Sequence, residues 1–186
     1  MSTAALSNGR NDPLLLAGRI LTFLLQAVIA LGVLALAIAT PIVIFARDMI
    51  SAEIIAKHGD SVAAFPAFQI AVILVAAIAA LALIFLFFGK LRALIESVGI
   101  GDPFAPENAD RLSAMGWLAI GVYALSAVIA GLAFTVSEWA QQLDDVEFDF
   151  DVGLDLTGIL MIIILFILAR VFRHGASMRE DLEGTV

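Results

Sequence analysis

The chain has 186 residues, 62% of them hydrophobic and only 15% charged, with a mean hydropathy of +1.04. A soluble domain is nearer about 45–50% apolar and about 25% charged, so this chain carries more apolar surface than one water-facing core can hide and calls for lipid. The lack of cysteine excludes disulfides, Cys-based zinc sites, iron–sulfur clusters and thiol nucleophiles, and a net charge of −8 speaks against direct nucleic-acid binding, which depends on clustered Lys and Arg.

A helix needs about 20 mostly apolar residues to cross about 30 Å of hydrocarbon. Four runs meet that requirement, within Ile20–Ala46, Phe68–Phe88, Met115–Val136 and Leu156–Phe172. They predict an all-α, integral membrane four-helix bundle forming one membrane domain over residues 1–186. The first run has Arg10 before it and a small-x-small stretch at Ala37-Ile38-Ala39, as a signal peptide would. Its apolar stretch is too long for a signal sequence and continues past Ala39 through Ile42-Val43-Ile44-Phe45, which favours an uncleaved span with Pro41 near one end.

The cations orient the spans. Arg10, Arg19, Lys90, Arg92, Arg111, Arg170, Arg173 and Arg179 fall on one side if the spans alternate, against Arg47 and Lys57 on the other. Basic residues favour the cytoplasmic side, so both termini and the central loop are expected in the cytoplasm.

The span interiors carry no charge, which counts against ion-coupled transport. Gln26 is their strongest polar residue, with Thr22 one turn earlier; it reads as an interhelical packing contact rather than a ligand site. The second span is rich in alanine, and Ala127 and Gly131 in the third have the small-xxx-small spacing that lets helices approach closely, within the bundle or at the seam of a homo-oligomer.

In the central loop, Lys90–Val98 continues the helical period of the second span, and Gly99-Ile100-Gly101-Asp102-Pro103 breaks it. Pro106-Glu107 suits the first turn of the next helix, on which Asn108, Asp110 and Arg111 are expected to show. In the outer loop, acidic and apolar residues alternate from Asp145 to Val152, the pattern of a solvated β-like segment. An EF-hand begun at Glu147 would need glycine at Val152 and glutamate at Gly158, so no metal site is expected there. Trp139 at the span edge suits the interfacial aromatic belt. His58 and His174 fall on opposite sides of the membrane, and no catalytic set or cofactor site can be assembled from them.

Gly101-Asp102-Pro103-Phe104-Ala105-Pro106-Glu107-Asn108-Ala109-Asp110-Arg111-Leu112, with Phe172–Asp181 and the terminal Gly184-Thr185-Val186, resembles the bacterial membrane family of unknown function DUF2975. Ala105 departs from the pattern, standing where relatives carry a capping Ser or Thr. The resemblance implies the inner membrane of a bacterium as the location and implies no reaction. Members are often encoded beside small helix-turn-helix regulators, which implies a membrane partner of a cytoplasmic transcription regulator.

The expected function is therefore non-enzymatic, regulatory or sensory, with a docking face built from Asp102, Pro103, Phe104, Asn108, Arg111, Arg173, Gly175 and Arg179. Arg173 and Arg179 are long enough to meet carboxylates such as Glu107 or Asp110 across that face. The alternatives are a subunit of an oligomeric small-molecule transporter or channel and a structural protein whose partner is membrane lipid.

Overall fold

A computed structural model describes residues 13–59, 64–141, 143 and 156–183. The outer-loop residues that alternate in sequence lie outside them. The chain is all-α, with four long apolar helices in order: α1 (Pro13–His58), α2 (Ala67–Gly99), α3 (Pro106–Ala140) and α4 (Leu156–Glu183). Each is long and apolar enough to cross a membrane. At about 1.5 Å per residue even α4, with 28 residues, is about 42 Å long, so each helix outruns the hydrocarbon and carries polar turns beyond it. Helix α1, of 46 residues, continues through Pro41 without a break.

The helices divide between two compact units. The first takes the described residues of Met1–Ile29, Ile84–Ile120 and Asp155–Val186. Its helices pack antiparallel in chain order. Gly18 of α1 lies against Ile95 of α2, Arg111 of α3 reaches the Ala93 carbonyl of α2, and Gly116 of α3 meets Phe166 of α4. Its core is Leu112, Met115, Leu165 and Ala169, with Phe87, Leu91, Leu94 and Phe172 packed around them.

Glycine is needed where α3 meets α4. A Cβ on Gly116 would stand 2.8 Å from Phe166 Cζ, and Trp117 holds that ring edge-on at 5.6 Å. Gln26 donates from Nε2 to the Phe85 carbonyl of α2 at 3.2 Å, an interhelical bond of the kind its polarity predicts. Thr22 is buried and keeps its hydroxyl inside its own helix, on the carbonyls of Gly18 and Arg19.

The second unit takes the described residues of Ala30–Leu83 and Gly121–Leu154. Its buried residues are all small: Ala67, Ala71 and Ala80 on α2, and Ala133, Ser137 and Ala140 on α3. The spacings of four and three place the α3 residues in one row on one helix face, and Ala67 and Ala71 one turn apart on α2, where small side chains let backbones approach and gain van der Waals contact. The buried row of α3 is therefore not the one marked in sequence. Ala127 and Gly131 are exposed, and a Cβ added to Gly131 would meet nothing within 4 Å, so neither packs against another helix among the described residues. Their small size had no helical face attached to it until the rotation of α3 was known. At the end of this unit Phe65 and Trp139 make an edge-on ring pair at 5.6 Å.

Candidate functional site: the turn between α2 and α3 and the end of α4

Helix α2 ends in a glycine-dependent turn. Gly101 has a φ of 87°, its N–H bonds the Val98 carbonyl at 3.1 Å, and the next N–H, of Asp102, bonds the Ser97 carbonyl at 3.2 Å. This pair of reversed bonds is the Schellman closure, which uses a left-handed residue to satisfy the last helical carbonyls. The chain then enters α3 through Pro106, with Ala105 offering no side-chain cap.

Three residues past the cap position, Asn108 fills the turn from inside. It is 0% exposed. Its Nδ2 donates to Ser97 Oγ at 2.8 Å and to the Pro103 carbonyl at 3.0 Å, and lies 3.4 Å from the Asp102 carbonyl. Its Oδ1 accepts from Arg111 Nη1 at 2.7 Å, and the same nitrogen donates to the Ala93 carbonyl at 3.2 Å. The Ser97 hydroxyl in turn donates to the Asp102 carbonyl at 2.8 Å. Carbonyls of a tight turn have no helical donors, and a carboxamide supplies two, which is why an amide rather than a carboxylate suits this position.

The expectation that Asn108 shows on the surface of α3 is thus corrected. It is an internal strut, and it has no surface to offer a partner. No buried side-chain nitrogen or oxygen lacks a hydrogen-bond partner among the described residues.

The end of α4 closes on this turn. Phe104 packs against Phe172 with the rings tilted at 43° and 5.6 Å apart, and a Cβ on Gly175 would come 2.7 Å from Phe104 Cδ1, so the ring lies on bare backbone. Arg179 Nη1 meets Asp102 Oδ1 at 2.6 Å, and Arg173 Nη2 meets Asp110 Oδ1 at 3.1 Å. The structure therefore brings together all eight residues expected at this face: Asp102, Pro103, Phe104, Asn108 and Arg111 in or near the turn, and Arg173, Gly175 and Arg179 on α4. The two ion pairs are exposed and contribute at most about 1 kcal/mol each.

Sequence reasoning missed Ser97, whose hydroxyl links helix end to strut, and Glu96, which draws Arg92 and, at 3.7 Å, Arg19 of α1. The signal for Ser97 was its distance of four residues before the positive-φ Gly101, the place whose carbonyl a Schellman turn recruits. No group of three or more His, Asp or Glu side chains among the described residues could hold a metal ion.

Four long apolar helices, packed in chain order and joined at one end by a polar turn, define a multi-span membrane protein. A family model described as "Protein of unknown function (DUF2975)" matches residues 50–186, and the chain belongs to that family. The match takes in the whole turn, α3 and α4, and leaves most of α1 outside. Comparison with curated proteins and with solved structures gave no match.

Proposed function

We propose that this protein is a non-enzymatic regulatory or sensory component of the bacterial inner membrane, with both termini in the cytoplasm, that docks a soluble cytoplasmic protein such as a transcription regulator. The docking surface is the turn between α2 and α3 together with the end of α4. The observation that carries this reading is apolar surface at the polar end of the molecule. Ile100 is 77% exposed, Phe104 44% and Met178 51%, around the Asp102–Arg179 ion pair.

Ile100 lies eight residues beyond Arg92, about 12 Å along the chain direction of α2, and so beyond the charged rim at which hydrocarbon ends. Lipid tails do not cover such residues. Exposed apolar groups rimmed by charge are a feature of protein-binding surfaces.

The test is affinity recovery from solubilised membranes with the intact chain, comparing the parent with Ile100→Asp combined with Met178→Asp. Both positions are exposed, so the variant should insert and fold as the parent does. The parent is expected to retain a soluble protein that the variant loses. Equal retention by both, or nothing above background with the parent, refutes the reading.

A further inference from the structure

The cations at the polar end of the first unit fall into two sets. Arg19 and Arg92 face Glu96, Arg173 faces Asp110, Arg179 faces Asp102, and Arg111 is bonded to Asn108 and to the Ala93 carbonyl. Among the described residues Lys90 and Arg170 stand apart, exposed and with no hydrogen bond or ion pair to the protein.

Both crown rows of exposed apolar side chains. Lys90 follows Leu86 at i+4 on α2, and Arg170 follows Leu160, Ile163 and Ile167 on one face of α4. Residues in such rows face lipid tails, so the cation that ends each row comes up at the headgroups, where its aliphatic stem lies on hydrocarbon and its charge reaches outward. The two are nearly level. Arg173 beside Asp110 and Arg111 beside Ala93 set Arg170 within roughly 3 Å of Lys90 along the helix axes.

We propose that Lys90 and Arg170 bind the phosphate groups of anionic phospholipids in the leaflet that this end of the helices faces. Charge complementarity selects the occupant. Two exposed cations without carboxylate partners at headgroup height attract phosphate, and a net-negative lipid more than a zwitterionic one, while the guanidinium groups of the other cations are already engaged by protein acceptors. The inference is independent of partner docking and of which side of the membrane this end occupies.

The purified intact chain, equilibrated with detergent micelles holding equal parts phosphatidylglycerol and phosphatidylcholine and then gel-filtered, is scored for retained lipid by mass spectrometry. With one lipid at each cation, the parent should enrich phosphatidylglycerol about fivefold, the fold-change equivalent to the roughly 1 kcal/mol that one basic residue gains near an anionic surface. Raising the salt to about 1 M should collapse that preference through screening. Lys90→Gln with Arg170→Gln should bring it within about twofold of parity, whereas Arg92→Gln, whose guanidinium Glu96 already holds, should keep it. Lys90→Arg with Arg170→Lys should also keep it. The proposal is overturned if the parent shows no enrichment, if its enrichment ignores salt, if the double Gln variant retains it, or if Arg92→Gln loses as much.

Discussion

Asn108 separates two accounts of the α2–α3 turn. If the residue only starts α3, then aspartate, which has nearly the same shape and a charge that suits the positive end of a helix, should serve as well or better. If it is an internal donor, aspartate must fail. Asn108→Asp keeps the bond from Arg111 but turns the donor toward Pro103 into a second acceptor facing a carbonyl, and the Ser97 hydroxyl already donates to the Asp102 carbonyl. Asn108→Ala removes three short bonds, at 2.7, 2.8 and 3.0 Å. At roughly 1 kcal/mol each, with more for any group left buried and unpaired, the loss is about 3 kcal/mol. Unfolding in mixed micelles of denaturing and mild detergent, followed by circular dichroism, measures this loss. Hydrogen exchange of the amides from Ile100 to Ala105 localises it. Both variants should be destabilised and both should expose those amides. An Asn108→Asp protein as stable and as protected as the parent would refute the strut and return the residue to the role of a helix start.

Two further expectations follow from packing and from charge. Gly116→Ala should cost about 1–3 kcal/mol, because its methyl would overlap a Phe166 ring that Trp117 restrains, while Gly131→Ala should cost nothing and gain up to about 1 kcal/mol from helix propensity; equal effects in the same unfolding assay would contradict the assigned faces of α3. Reporter fusions after Pro103 and Val186 should give cytoplasmic signals and one at Asp145 a periplasmic signal, and a periplasmic signal at Pro103 would reverse the orientation read from the cations.

The positions of the helices were legible because their signals are local. Runs of about 20 apolar residues mark the spans, and Gly99 to Pro106 carries both the left-handed residue that ends α2 and the proline that begins α3. What sequence could not supply was rotation about each helix axis. In a span that is apolar on all sides, periodicity no longer distinguishes the face toward a neighbour from the face toward lipid. For that reason the spacing of Ala127 and Gly131 left a contact within the bundle and one between copies equally open, and only the rotation shows Ala133, Ser137 and Ala140 as the buried row of α3. Gln26 escaped the difficulty because a carboxamide in hydrocarbon has to find a partner, and it found the Phe85 carbonyl.

The same distinction bears on why the residues of the family resemblance look as they do. Gly101 to Arg111 and Arg173 to Arg179 are distant in sequence, and each segment alone reads as a polar surface. In the structure they complete one another. Gly101 permits the turn, Asn108 and Ser97 fill it, Phe104 lies on Phe172 and the backbone of Gly175, and Arg179 closes on Asp102. Folding therefore accounts for most of that pattern without any partner, and the motif is not itself support for docking. The support has to come from residues that folding does not employ. Ile100 and Met178 leave exposed apolar surface at the polar end of the helices, and Lys90 and Arg170 leave charge that no carboxylate meets among the described residues. If the two proposals hold, that surface serves a protein at the tip and lipid phosphate at the rim, and substitutions at the four positions should silence one without disturbing the other.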